Sequence, residues 1–387
     1  MKTKTGFIFI FLLLISAGLV SAQLKLTGTV TEKNSGVPIA FATVQIKDLK
    51  STLTNESGEF EIVVPAMPAT LTVSHLNYQP AALKVTETSN SLKIALVPKV
   101  LILKEVAVGN PALAIMQAAS DKAFKTYDHA TYGKAFLRQI AYEGGKPTYM
   151  NEIFMNAEWK PYGLLAWHPT EARHLKTANG ISYSNTSFFS FVFSGFLANS
   201  SHIKPLLIKT GDYTFKLEGT YAQSGEEIAK IICTPKPKIR GKRFEGVYYI
   251  NTVTDEVIKI EGVIKGMLFS GMGPISVTNK EAVFIAQFKV NAAGDNVLDY
   301  SIFNTRNKLK ILGIGAQDTD LFSTLYMVDN EPVNKEELVE VKQTIDDSSV
   351  VKAMNFKPDF WKNNQGIKRT EKEQAAIGIL ENTPQKK

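Results

Sequence analysis

Alternating apolar and polar residues, interrupted at short intervals by turn-forming residues, fill the N-terminal quarter of the chain after an apolar start. Successive side chains of a strand point to opposite faces, so Ala42, Val44 and Ile46 would share one buried face. The candidate strands are "LKLTGTVTE", "PIAFATVQIKD", "STLTN", "EFEIVVP", "ATLTVSHL", "QPAALKVTE" and "SLKIALVP". Seven short strands within about 75 residues predict a β-sandwich over residues 23–98.

A helical period follows the β-rich connector "KVLILKEVAVGN". Asn110 and Pro111 suit the N-cap and the first turn of a helix. Apolar residues then recur at helical spacing, at Ala112, Ile115, Met116, Ala119 and Ala123. This pattern predicts one amphipathic linker helix within residues 99–128.

Longer alternating segments begin at residue 129 and pair around glycine or polar turns. The four expected hairpins are "YGKAFLRQIAYEGGKPTYMNEIFMNAEW", "DYTFKLEGTYAQSGEEIAKIICT", "FEGVYYINTVTDEVIKIEGVIK" and "EAVFIAQFKVNAAGDNVLDYSIFN". Hairpins without intervening helices predict a meander, and hence a larger antiparallel curved sheet or half-barrel over residues 129–345. We interpret the later stretch "GIGAQDTD" as a turn and residues 346–387 as a C-terminal tail with a short helix. The predicted fold class is therefore mainly β.

The first residues have the layout of a secretory signal. A lysine-bearing start precedes an apolar run from Phe7 to Val20, and small residues stand before Gln23. Residues 1–22 are therefore expected to be a signal peptide, and the protein is expected to be exported. The apolar run is shorter than the roughly 20 residues that a membrane span needs, so no transmembrane span is expected after signal removal.

Composition narrows the function classes. The net charge of +7 is mild and dispersed, which argues against a nucleic-acid partner. The single basic cluster, "PKPKIRGKR", is interpreted as a solvated loop, with contact to an anionic membrane or polysaccharide as the alternative. Cys233 is the only cysteine, so no internal disulfide can form, and its strand pattern predicts a buried, inert thiol.

The stretch "TLTNESGEF" has three interpretations: a degenerate calcium loop, a glycosylation acceptor at Asn55, or a turn between two strands. A calcium loop needs Asp or Asn at alternating positions and a bidentate Glu, which this stretch largely lacks. We therefore expect a structural turn, in which Gly58 supplies the backbone freedom and Phe60 returns to the core.

These residues also carry a resemblance. "GTV" at Gly28, "VPIAFATVQI", "TLTNESGEFEI" and "LTVSHLNYQP" resemble the carboxypeptidase-regulatory-like domain, a seven-stranded transthyretin-like sandwich. That family usually has Gly before the last aromatic, whereas Asn77 precedes Tyr78 here. Because Asn tolerates positive φ better than most residues, the same backbone conformation is expected at Asn77.

The resemblance extends to the rest of the chain. The later β-region and "NFKPDFWKNNQGIKRTEKEQAAIG" are similar to the periplasmic part of longer outer-membrane relatives in the Gram-negative envelope. "YYINTVTDEVIKIEG" is similar to hairpins of lipoprotein-carrier-like half-barrels. The resemblance implies an envelope protein in the periplasm or at the outer membrane.

Catalytic signatures are scarce in this chain. His168, Glu171 and His174 have spacing that could suit zinc, but Pro169 argues against one helix through them and no distant third ligand follows. No nucleophile elbow, P-loop or dinucleotide fingerprint occurs. No catalytic residue, metal or cofactor is therefore predicted.

An uncharged Phe-rich segment, "TSFFSFVFSGFLANSS", is the sharpest remaining feature. Its aromatic residues are Phe188, Phe189, Phe191, Phe193 and Phe196. It either fills the concave face of the sheet as core or forms a lipid-facing plug or cavity wall, in which case these five residues bind an apolar ligand.

The sequence therefore predicts a non-enzymatic exported binding or scaffold protein at the periplasmic side of the outer membrane. The first alternative is a lipid or lipoprotein carrier that uses the Phe-rich segment, and the second is an unrecognised glycan-active enzyme. The expected partners are an envelope protein, a glycan or a lipid.

Overall fold

The computed structural model describes residues 24–46, 50–87, 91–102, 110–178, 185–197, 210–223, 225–239, 243–266, 275–291, 293–311, 314–329, 331–342 and 347–383. The predicted signal peptide, residues 1–22, lies outside the described residues, as do residues 198–201 at the end of the Phe-rich segment.

The N-terminal domain is a sandwich of two small sheets. Its strands are β1 (Leu24–Glu32), β2 (Thr43–Ile46), β3 (Lys50–Leu53), β4 (Glu59–Val64), β5 (Ala69–His75), β6 (Tyr78–Val85) and β7 (Leu92–Leu96). One sheet has the order β4-β1-β7 and the other β3-β2-β5-β6. Between them Leu26, Val44 and Phe60 are fully buried in one apolar core. The seven predicted strands are therefore confirmed.

The linker helix is also present. Strand β8 (Leu101–Ile102) precedes helix α1 (Pro111–Lys125). Asn110 caps the helix, because its side chain accepts a hydrogen bond from the Leu113 N–H at 3.1 Å. The face that carries Met116 and Ala119 is buried against the large sheet.

The second domain is a curved, open antiparallel sheet. Its further strands are β9 (Thr131–Glu143), β10 (Lys146–Lys160), β11 (Gly163–Lys176), β12 (Tyr213–Gln223), β13 (Glu226–Pro235), β14 (Arg243–Asn251), β15 (Val257–Lys265), β16 (Ile275–Val290), β17 (Asn296–Ile311), β18 (Ile314–Asp329) and β19 (Val339–Glu340). In the described residues twelve strands follow the order β19-β11-β10-β9-β18-β17-β16-β15-β14-β13-β12-β8. All four predicted hairpins are confirmed.

One feature of this sheet differs from the prediction. "GIGAQDTD" is not a turn, since Gly315 to Asp320 belong to strand β18, which pairs with β9. The stretch "WHPTEARH" lies within strand β11, where a bulge at Pro169 interrupts the ladder.

Helices cover both faces of the sheet. On the face that we call inner, α1 and helix α2 (Ser187–Val192) pack onto the largest apolar core. On the opposite, outer face, the C-terminal helices α4 (Pro358–Asn363) and α5 (Glu371–Glu381) contribute Trp361, Ile377 and Leu380 to two smaller cores. Helix α3 (Asp347–Lys352) packs near β11, and two single 3₁₀ turns occupy Thr210–Asp212 and Lys335–Glu337.

The C-terminal segment, predicted as a tail with a short helix, contains helices α3, α4 and α5 in the described residues. Residues 355–370 run between the N-terminal sandwich and the outer face of the sheet. Thr52 and Tyr326 both donate hydrogen bonds to the carbonyl of Gly366, at 3.3 and 3.2 Å, and Lys368 pairs with Glu59 at 2.9 Å. The sandwich, the C-terminal segment and the large sheet are thus held together by polar contacts as well as by the apolar core.

In the part of the chain that the structure describes, no helix has the length and apolar character needed to cross a membrane.

Candidate functional site

The Phe-rich segment lies on the inner face of the large sheet. Phe191, Phe193 and Phe196 are buried there, whereas Phe188 and Phe189 keep partial exposure. In the described part of the segment, the helix is limited to Ser187–Val192, with Phe193 at its C-cap. The short helix has no charged residue, which matches its position against an apolar sheet.

Aromatic stacking fixes the position of this segment. The ring of Phe193 lies parallel to that of Phe303, with centroids 4.5 Å apart and an interplanar angle of 5°. Phe193 also meets Phe284 at 5.5 Å, while Phe196 and Phe191 contact Trp159 and Trp167 at 5.9 and 5.5 Å. The ring contacts place the segment in the core of the domain. Whether it also binds a ligand stays a prediction.

Polar side chains join the segment to the sheet. Gln139 of β9 donates through Nε2 to the Thr186 carbonyl, to Ser190 Oγ and to Ser323 Oγ, at 3.1, 3.2 and 3.1 Å. Its Oε1 accepts from the Thr186 hydroxyl at 2.9 Å. Ser194 is a second anchor, since its hydroxyl accepts from the Leu164 N–H at 3.0 Å. These groups satisfy buried polar atoms that would otherwise destabilise the core.

The same network continues towards the edge of the sheet. The Tyr149 hydroxyl contacts Thr186 Oγ1 at 3.1 Å and also accepts from the Asn151 side chain. Asn151 Oδ1 in turn lies 2.6 Å from His174 Nδ1.

The three residues considered for zinc therefore have separate partners. His174 belongs to the Asn151 network, His168 Nε2 lies 3.7 Å from Glu337, and Glu171 pairs with Lys357. Among the described residues, no group of three or more potential ligands is arranged for a metal ion.

Cys233 also lies in the core below the inner face. It is buried, and desolvation raises the pKa of its thiol to about 12. The thiolate is the reactive form, so this environment is that of an inert thiol.

The "NESG" turn of the N-terminal domain has the geometry of a tight structural connection. Asn55 Oδ1 accepts hydrogen bonds from the Ser57 and Glu59 N–H groups, both at 2.9 Å. Gly58 has a φ of +72°, and the Phe60 side chain is fully buried. The three residues thus have the contacts expected of a turn.

Asn77 and Tyr78 form the hairpin between β5 and β6, but not with the expected backbone. In the described residues, positive φ values outside glycine occur at Phe41, Asn185 and Asp255. Asn77 therefore does not use the left-handed region. Its N–H donates to His75 Nδ1 at 3.2 Å, and the Tyr78 hydroxyl donates to Glu32 at 3.3 Å. The expectation of positive φ was wrong because a side-chain contact stabilises this turn instead.

A buried ion cluster on the outer face was not predicted. Glu152 of β10 is fully buried and accepts from Arg138 Nε at 2.9 Å. Arg369 from the C-terminal segment donates to both carboxylate oxygens, at 3.0 and 2.7 Å, and Arg173 Nη1 lies 3.8 Å away. Desolvation favours the neutral acid, but Arg138 and Arg369 outweigh it and lower the pKa of Glu152.

A known protein family matches the N-terminal sandwich of this chain. Residues 26–108 match the CarboxypepD_reg-like domain. This confirms the predicted resemblance for the regulatory-like domain. No curated protein matches the chain significantly.

Three solved structures are similar to much of the chain, at low identity. The first is a LolA-superfamily protein from Nitrosomonas europaea, and the second is a DUF1329-family protein from Desulfovibrio piger. The third is a putative outer membrane lipoprotein-sorting protein domain from Vibrio parahaemolyticus. Identities are 11, 12 and 11%. The matches cover 58, 57 and 62% of this chain and 96, 94 and 97% of those chains, with TM-scores of 0.21, 0.23 and 0.25.

The regulatory-like domain meets the large sheet at a second interface that contains a titratable group. Leu76 packs against Tyr221 and Tyr249 on the outer face. His75 lies beside Leu76, and burial of its ring lowers its pKa to about 4. The positive charges of Lys259 and Lys99 also lower this pKa, whereas the negative charge of Glu261 raises it.

This lowered pKa predicts acid sensitivity. The folded protein holds His75 neutral, whereas the unfolded chain protonates it near pH 6.5, so stability is lost as pH falls from about 6.5 to about 4. We expect a loss of roughly 2 kcal/mol from this group, allowing for partial solvent exposure.

The measurement is the free energy of unfolding by urea at both ends of that range. His75→Phe keeps a ring against Tyr78 but cannot titrate, so it serves as the reference for all other acid effects. Equal acid losses in the two proteins would contradict the assignment.

Proposed function

We propose that the protein is an exported, non-catalytic binding protein at the periplasmic side of the outer membrane, and that its ligand is apolar and lies on the inner face of the large sheet. The export part rests on the signal-like N-terminal sequence. The binding part rests on the Phe-rich segment.

One observation carries the proposal: the segment meets the sheet along an apolar aromatic seam. Phe189 and Phe193 stack on Phe303, at 5.9 and 4.5 Å. The hydrogen bonds come from Thr186, Ser190 and Ser194, which lie beside the rings. An apolar chain could take the place of a Phe ring along this seam without desolvating a charge.

The energy of stacked phenylalanine rings is also compatible with replacement of a ring by an apolar ligand chain. Each ring pair contributes about 0.5–1.5 kcal/mol beyond its buried area, and an acyl chain recovers most of the same apolar burial. Phe188 and Phe189, which stay partly exposed, mark the side from which a chain would approach. The lipid or lipoprotein-carrier function is the specific form of this proposal.

The three tryptophans provide the test. Trp159 and Trp167 contact the Phe-rich segment, whereas Trp361 lies on the outer face. In Trp361→Phe, titration with a bromine-labelled fatty acid should quench the remaining emission in a saturable manner. In the double variant Trp159→Phe/Trp167→Phe, which keeps only Trp361, the same titration should quench much less.

Native mass spectrometry of detergent-free protein should then show a reproducible lipid adduct. Equal quenching in the two variants, together with no adduct, would overturn the apolar-ligand proposal.

A scaffold function is the second candidate, and a specific observation favours it. Both faces of the sheet are covered around β9 and β18: the inner by helix α2, the outer by the regulatory-like domain and the C-terminal segment. The buried Thr43 hydroxyl donates to Asp299 at 2.7 Å across the outer interface. If no lipid binds, this tightly joined arrangement supports a protein-binding scaffold.

A further inference from the structure

A cleft opens on the outer face of the sheet where three parts of the chain meet. The "NESG" turn contributes Glu56, strands β9 and β18 contribute Tyr142 and Thr324, and the start of helix α5 contributes Lys372. The cleft has a volume of about 80 Å³ and is open to solvent at its mouth. The site is separate from the Phe-rich segment, which lies on the opposite face.

Tyr142 is a largely buried tyrosine whose ring and hydroxyl line this cleft. Its side chain is only 8% exposed, and its hydroxyl is not among the fully buried, unpartnered polar atoms of the described residues, so it stays within reach of solvent in the cleft. Burial, followed by the charges of Glu373 and Glu56, raises the pKa of Tyr142 to about 12. The hydroxyl is therefore protonated near neutral pH and can donate one hydrogen bond and accept others.

The cleft is amphipathic. Its floor is apolar, formed by Ile140 and by the ring of Phe322, which meets Tyr142 edge to face at 5.9 Å. Lys372 Nζ lies 4.9 Å from the Tyr142 centroid and 5.3 Å from that of Phe322. Glu56 on the exposed rim supplies carboxylate acceptors, and Thr324 supplies a second hydroxyl.

Neighbouring charges in the cleft are already neutralised. Arg138 uses Nε, Nη1 and Nη2 on Glu152, Glu373 and the carbonyls of Gln365 and Ile367. Glu373 completes its contacts with the N-cap residue Thr370. The groups left for a ligand are thus hydroxyls, the Asn304 amide, one exposed carboxylate and one lysine around an apolar floor.

Saccharides match such a set, because each hydroxyl both donates and accepts while the C–H face of the ring packs on aromatic and aliphatic surface. A fully apolar ligand would leave the Tyr142 hydroxyl unsatisfied, and a strongly anionic one would meet Glu56. We propose that this cleft binds a saccharide, with Tyr142 and Glu56 hydrogen-bonded to its hydroxyls and its apolar face against Phe322.

Saturation-transfer NMR on the full chain tests this proposal with two probes. Chitotriose represents an N-acetylated amino-sugar strand, and maltotriose a neutral glucan. Binding at millimolar concentration is expected for at least one probe, and the stronger one identifies the source. Tyr142→Phe keeps the ring but removes the hydroxyl, and should weaken binding roughly fivefold. Glu56→Gln should weaken it by a similar factor.

Matched controls make the result specific. Tyr221 is equally buried, at 8%, and lies on a distant part of the outer face, and Glu87 is an exposed carboxylate of the same domain as Glu56. Tyr221→Phe and Glu87→Gln should therefore leave the affinity unchanged. Failure of both probes to bind, or binding that Tyr142→Phe and Glu56→Gln do not weaken, would overturn the proposal. Neither result would bear on lipid binding at the inner face.

Discussion

Glu152→Ala is expected to lower the free energy of unfolding by about 3–5 kcal/mol, because it leaves buried positive charge without its partner. The Glu152 carboxylate accepts hydrogen bonds from Arg138 and Arg369, and Arg173 lies close by. Both hydrogen-bonded arginine side chains are less than 10% exposed, so water cannot replace the lost carboxylate.

The position of the cluster adds to the expected effect. Arg138 and Arg173 are on strands of the large sheet, whereas Arg369 comes from the segment that runs beneath the regulatory-like domain. Loss of Glu152 should therefore loosen the C-terminal segment as well as the sheet.

Urea unfolding, with midpoint and slope fitted together, measures the change. Glu245→Ala is the matched control, because Glu245 pairs with Lys265 where both side chains are more than 40% exposed. An exposed pair of this kind is worth about 0–1 kcal/mol. Similar losses in the two variants would show that the buried cluster does not stabilise the fold in the way described.

Half of this cluster could be predicted from the sequence. Arg138 and Glu152 lie at nearly equal distances from the Gly144–Gly145 turn, and the observed register, which shifts by one residue between Pro147 and Tyr149, pairs them directly. Each also interrupts an apolar pattern, in "AFLRQIAY" and "YMNEIFM". A charged residue on a buried strand needs a partner, so the hairpin itself contains the signal.

The position of Arg369 in the cluster could not be predicted in this way. Arg369 lies 217 residues from Glu152 along the chain, and no local pattern connects them. The same holds for the Gln139 network, in which Ser190 and Ser323 are 51 and 184 residues away.

The strands show a similar division between local and distant information. The regulatory-like sandwich and the four hairpins follow from alternation and turn residues, which act within a few positions. Pairing of β9 with β18 joins segments that are almost two hundred residues apart, and two glycines made the start of β18 resemble a turn. Among the Phe-rich residues, composition identified the segment, but only the structure shows that Phe193 stacks on Phe303.

Gly58→Val is expected to destabilise the regulatory-like domain by about 3–5 kcal/mol, from two separate causes. The first is backbone strain, since Gly58 has a φ of +72° and a β-branched residue tolerates this region poorly. The second is steric, because a Cβ at this position would lie 2.6 Å from the Val30 carbonyl oxygen and 3.0 Å from Pro38 Cβ. Both neighbours are held by the β1 ladder and the turn, so neither can move without cost.

Gly36→Val separates the two causes. Gly36 has nearly the same φ, +70°, but a Cβ there would have no atom within 4 Å. This control should therefore lose only the backbone share, about 1–2 kcal/mol. The two variants are compared by thermal and urea unfolding of the full chain, followed by circular dichroism. If Gly58→Val were no less stable than Gly36→Val, close packing beneath the "NESG" turn would not be what restricts this position to glycine, and backbone strain alone would account for it.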